Sequence, residues 1–150
     1  MIKAVITPLC LTLLLGAALR LPAQTPASAN PAVEEGVRRQ AAQIALRQKL
    51  VEARAAEQRH DLPTAAKLYG DAWRLVEDIG PGIEVEAQQT VAGLTAVRME
   101  LARAAQDRGD YRGAQVQSNE AMRVNSHDEA AVAFKRANQK LIDQQVGHVA

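Results

Sequence analysis

Between Pro31 and Val146 apolar residues recur three and four positions apart, with polar residues between them. That spacing keeps one side of an α-helix apolar and predicts helices throughout. Few β-branched residues alternate with polar ones, so no segment reads as a strand. Asn30-Pro31 opens a first helix that runs to about Arg59, because Asn caps a helix well and Pro is tolerated in the first turn. Val33, Val37, Ala41, Ile44 and Val51 mark its apolar stripe, which Leu46, Leu50 and Ala53 widen. Asp61 and Pro63 start a second helix carrying Ala65, Ala66, Leu68, Tyr69, Ala72, Trp73, Leu75 and Val76, and Gly80-Pro81-Gly82 breaks it. A third helix spans about Ile83 to Arg108 and stops at Gly109. A fourth covers about Tyr111 to Val124. Ser126-His127-Asp128-Glu129 has the form of a capping box and opens a fifth helix, about His127 to Val146. Its Ala130, Ala131, Ala133, Phe134, Ala137, Leu141 and Ile142 are placed to cover the helices before it.

Residues 1–23 follow another pattern. Lys3 precedes a 16-residue apolar run from Ala4 to Leu19, and Ala23 is a small residue at a suitable cleavage point. This is the order of a signal peptide. The run is shorter than the ~20 residues of a spanning helix. Leu21, larger than the residue usual at its place, leaves retention as an anchor open as the alternative. Residues 24–30 read as a linker, 31–147 as one helical domain, and 148–150 as a tail.

Charge narrows the function classes. Eighteen basic residues face seventeen acidic ones. Without Lys3 and Arg20, which leave with a cleaved leader, the balance falls to about −1. That gives no case for nucleic acid or for an anionic membrane as partner, and the mature domain is expected not to be membrane-embedded. Cys10, the sole cysteine, sits inside the leader run, so the mature chain has no thiol for a disulfide, a metal or a nucleophile.

One phrase occurs twice. His60-Asp61-Leu62 is followed by Ala65, Tyr69 and Ala72; Gly109-Asp110-Tyr111 is followed at the same offsets by Ala114, Ser118 and Ala121. Repetition at this scale marks arrays of helical hairpins, each burying against its neighbour a face that it cannot bury alone.

These residues resemble the tetratricopeptide-repeat family, with Ala53 and Ala102 as the small residues of the first helices. The resemblance implies an all-α fold of two hairpins plus a C-terminal capping helix. Departures are His60 for Gly, Ser118 for an aromatic, and turns 49 residues apart against a family period of about 34. It also implies a protein-binding groove lined by the first helix of each hairpin, with Arg47, Leu50, Arg54, Met99, Arg103 and Gln106 as candidates. The face carrying Phe134 and Asn138 is the alternative. The order of residues 75–80, 93–102, 121–125 and 134–138 is similar to the helical amino-terminal region of secretin-like outer-membrane proteins of bacteria. That likeness implies a detached or truncated module of a secretion or pilus assembly, with envelope components as partners. The leading expectation is an exported scaffold that binds a protein or peptide in the periplasm or outside the cell.

Chemistry is not expected. There is no Gly-rich phosphate loop, Gly-x-Ser-x-Gly or His-Glu-x-x-His. His60, His127 and His148 lie in a turn, a cap and a tail, so no metal, cofactor or catalytic residue is assigned. Glu84 and Glu86 fit the positive end of a helix dipole. Arg38, Arg39, Arg47, Arg54 and Arg59 read as a solvated helix face.

Overall fold

A computed structural model describes residues 30–147. The leader and linker up to residue 29, and the tail at 148–150, lie outside the described residues. The described chain is all-α: α1 (Pro31–Gln58), α2 (Leu62–Ile79), α3 (Glu84–Asp107), α4 (Tyr111–Val124) and α5 (Glu129–Gly147). The closest packing is between α1 and α2 and between α3 and α4; α2 packs on α3, and α5 closes over α4. Among the described residues no helix is long and apolar enough to cross a membrane.

The two short turns are copies of one another, bond for bond. In the first, the His60 N–H donates to Glu57 O at 2.8 Å and the Asp61 N–H to Ala56 O at 2.9 Å. In the second, the Gly109 N–H donates to Gln106 O and the Asp110 N–H to Ala105 O, both at 2.9 Å. This pair of bonds is the Schellman stop, which needs a left-handed residue at its apex. His60 (φ 57°) and Gly109 (φ 77°) supply it. Each Asp then caps the following helix, and their backbones coincide at φ −83° with ψ 71° and 72°. The Asp61 carboxylate accepts from Thr64 N–H at 3.3 Å and that of Asp110 from Gly113 N–H at 2.8 Å.

Burial repeats with the turns. Ala53 and Ala102, Ala56 and Ala105, Ala65 and Ala114, Ala72 and Ala121 are all buried. With Ala at these crossings, neighbouring helices approach closely, and Ala costs a helix nothing in propensity. The larger side chains Leu46, Leu50, Leu94 and Tyr69 fill the main core. Met99, Ala121 and Ala131 form a second, smaller core against α5. The wide spacing of the turns resides in α2 and α3, 18 and 24 residues long, where α4 has 14. Ile79 and Ile83 are both buried and pin the Gly80-Pro81-Gly82 break to the core.

Three sequence expectations are corrected. The α1 stripe of Val33, Val37, Ala41, Ile44 and Val51 faces outward, and the buried positions are Leu46, Leu50, Ala53 and Ala56. Periodicity finds an apolar face; which of two such faces is covered depends on where α2 lies. At α5 the cap is Asp128 rather than Ser126: its Oδ1 accepts from Ala131 N–H at 2.7 Å, so the helix begins at Glu129. Of the α5 residues expected to cover the helices before it, Ala131 is buried, Phe134 packs half-buried against the second core, Leu141 and Ile142 are half-buried, and only Ala130, Ala133 and Ala137 are exposed.

Candidate functional site

Five of the six candidate groove residues line two grooves that share α3 as a wall, and Gln106 lines neither. The first, of about 240 Å³, lies between α1 and α3 and is lined by Arg47, Leu50, Val51, Arg54, Val85, Glu86 and Gln89. Heptad-like spacing on α1 brings Arg47 and Arg54 to the same side, facing α3. Arg47 Nε donates to Glu86 Oε1 at 2.9 Å, and Arg54 Nη2 donates to Gln89 Oε1 at 2.6 Å. The Arg47 hydrogen bond holds the Glu86 carboxyl below its usual pKa, aided by the Glu86 backbone N–H. Glu84, at the start of the same helix, is lowered chiefly by the Gly82 N–H, which donates to it at 2.8 Å.

The second groove, of about 560 Å³, lies between α3 and the α4–α5 corner. Met99 and Thr95 form its floor, and Arg103, Glu100 and Asp128 stand at its rim. Thr95 Oγ1 is buried with no hydrogen-bond partner among the described residues. A buried hydroxyl left unpaired costs about 1–3 kcal/mol, so a polar ligand group there would be favoured.

Each predicted residue thus has a place. Arg47, Arg54 and Arg103 are exposed, on walls of the grooves. Leu50 and Met99 line the same grooves but are 3% and 4% exposed, so each offers a ligand an apolar floor. Gln106 is not free, since its Nε2 donates to Asn138 Oδ1 at 3.1 Å. Asn138, on the alternative face, is fully buried. Its Nδ2 donates to Tyr111 O at 2.7 Å and to Gln115 Oε1 at 3.1 Å, so it locks α5 to α4 and α3. The α1 arginines are also more than a solvated face: besides Arg47 and Arg54, Arg39 donates to the Pro81 carbonyl.

Sequence reasoning missed Glu86, Gln89 and Thr95 as groove residues. Thr95 was legible in part, because it stands 49 positions after Leu46 and places a hydroxyl where the first copy has a core Leu. Among the described residues no three His, Cys, Asp or Glu side chains are gathered so as to hold a metal ion. The chain matches no family model, no curated protein and no solved structure.

Proposed function

We propose that this chain is a helical-repeat scaffold that holds a protein or peptide partner along the side on which α1, α3 and the α4–α5 corner form the two grooves. The observation that carries this reading is the correspondence of the turns at Asp61 and Asp110, which makes the internal repeat a likeness of backbone as well as of sequence. Arrays built this way expose first-helix side chains to a partner. Arg54 and Arg103 stand 49 residues apart, at equivalent places in the two copies, one on each groove. The leader-like start of the sequence supports a place for the scaffold in the cell envelope.

Replacing Arg54 and Arg103 together by Ala tests the reading. Partner capture from envelope extract should weaken about tenfold while circular dichroism stays unchanged, because exposed charges govern recognition more than folding. Undiminished capture by the double variant would remove the grooves from the proposal. Lost helicity would show that the arginine stems support the fold instead.

A further inference from the structure

On the far side of α3 from the two grooves lies a cleft of about 470 Å³ between α2, α3 and α4. Four cations line it, drawn from three helices: Lys67 and Arg74 from α2, Arg98 from α3 and Arg123 from α4. Glu120 is the one carboxylate in the lining. Neighbouring acids do not balance this charge. Asp71 is shared between Lys67 at 3.0 Å and Arg74 at 3.1 Å, and Glu120 reaches Arg123 at 3.6 Å. Each pair lies within a single helix, two in α2 and one in α4, and is solvent-exposed on the cation side, where such pairs hold little energy and open readily.

Two further observations point to a ligand. Arg98 donates from Nη1 to Gln117 Oε1 at 2.8 Å, but its Nε is buried with no hydrogen-bond partner among the described residues. Gly70 sits inside α2 and lines the cleft, yet a Cβ built there meets nothing within 4 Å. Glycine in a helix interior costs stability relative to Ala. Packing does not require it here, and its effect is to leave the cleft wall low beside Ala66.

We infer that this cleft binds an acidic peptide segment, its carboxylates paired with Arg74, Arg98 and Arg123 and its backbone lying over Gly70 and Ala66. The charge excess selects an anion. The apolar floor of Ala66, Leu101 and Pro63 favours a peptide over free phosphate, and a recessed site is poorly shaped for a bilayer surface. Arginine forks match carboxylates in two-point contact. The inference rests on the peptide-binding reading but names another face, so the two fail separately.

The test is fluorescence anisotropy of the full chain with a short dye-labelled peptide of alternating Glu and Leu, in low and high salt. The peptide should bind, salt should weaken it, and its Lys-Leu counterpart should not bind. Arg74→Glu with Arg123→Glu should weaken binding about tenfold or more. Gly70→Leu should do the same by filling the cleft, and it keeps the proposal testable if the double reversal does not fold. Arg54→Ala with Arg103→Ala should bind as wild type. Equal binding of the Lys peptide, or wild-type affinity in both cleft variants, overturns the inference. Displacement by inorganic phosphate at matching concentration would assign the cleft to small anions and overturn it too, as would capture by phosphatidylserine vesicles that the cleft variants abolish.

Discussion

The ring of Tyr69 occupies the place where a side chain at position 93 would begin. A Cβ built on Gly93 would lie 2.4 Å from Tyr69 Cε1 and Cζ and 2.8 Å from its hydroxyl oxygen. The hydroxyl donates to Glu57 Oε2 at 2.9 Å, so the hydroxyl end of the ring is held between α1 and α3. The contact joins the first helix pair to the second.

Gly93→Ala therefore sets two effects against each other. Ala gains about 1 kcal/mol of helix propensity. Overpacking a filled site costs about 1–3 kcal/mol, and here the ring cannot move without losing Glu57, so the cost should win. Chemical denaturation should show a net loss. Pairing Gly93→Ala with Tyr69→Ser, which copies the second repeat's Ser118, should cost less than the sum of the single changes; strict additivity would refute the contact.

Tyr69 also gives the fold a signature at high pH. Burial, then the hydrogen bond and negative charge of Glu57, push its pKa up to about 12. In the unfolded chain a Tyr titrates near 10. Above that pH the unfolded chain gives up a proton that the folded chain keeps, so stability is whole below about pH 10 and falls as pH rises toward 12. Tyr69→Phe should flatten that part of the wild-type curve. Parallel curves for the two proteins would count against it.

His60 is the residue that the first turn uses where the second uses glycine. An L-residue in left-handed backbone is strained by roughly 1–2 kcal/mol, and part of the relief is offset by the added freedom of glycine in the unfolded chain. His60→Gly should raise stability by about 1 kcal/mol in a thermal melt, and Gly109→Ala should lower it by a similar amount. An identical melt for His60→Gly would mean that the imidazole makes up the difference.

Asn138 is the polar lock of α5. Asn138→Leu is similar in bulk but deprives the Tyr111 carbonyl, Gln106 and Gln115 of their partner, at a cost of about 1–3 kcal/mol. Amide exchange should quicken within Glu129–Gly147 before it does in α1 or α2. Uniform protection across all five helices would show that the lock is dispensable.

The helices and their breaks were legible in the sequence because their causes are local. Gly80-Pro81-Gly82 has to break a helix, and Asp after a left-handed residue has to end one and start another. Which face is covered was less legible. On α1, Val33, Val37, Ile44 and Val51 are more hydrophobic than Ala53 and Ala56, yet the alanines are buried, because α2 can come close only where side chains are small. The start of α5 was missed because Ser126 and Asp128 are both good caps, and only the path of the chain decides between them. The groove arginines were placed by analogy; Arg47, Arg54 and Arg103 are exposed and line the two grooves. The cations of the cleft were not foreseen: Arg74 and Arg123 stand at equivalent places in the two copies, 49 positions apart, but Lys67, Arg74, Arg98 and Arg123 meet only when three helices pack.

Each of the duplicated turns is closed entirely by residues within its own ten-residue stretch, from Ala56 to Ala65 and from Ala105 to Ala114. Loops this short cost little entropy to close, and contacts near in sequence form early. Either helix pair can therefore serve as the nucleus from which folding spreads to the other through Tyr69 and Gly93. A chain emerging from its N-terminus has its first nucleus complete once Ile79 is free, before α4 and α5 exist. A substitution in one turn should slow that route alone and divert folding through the other.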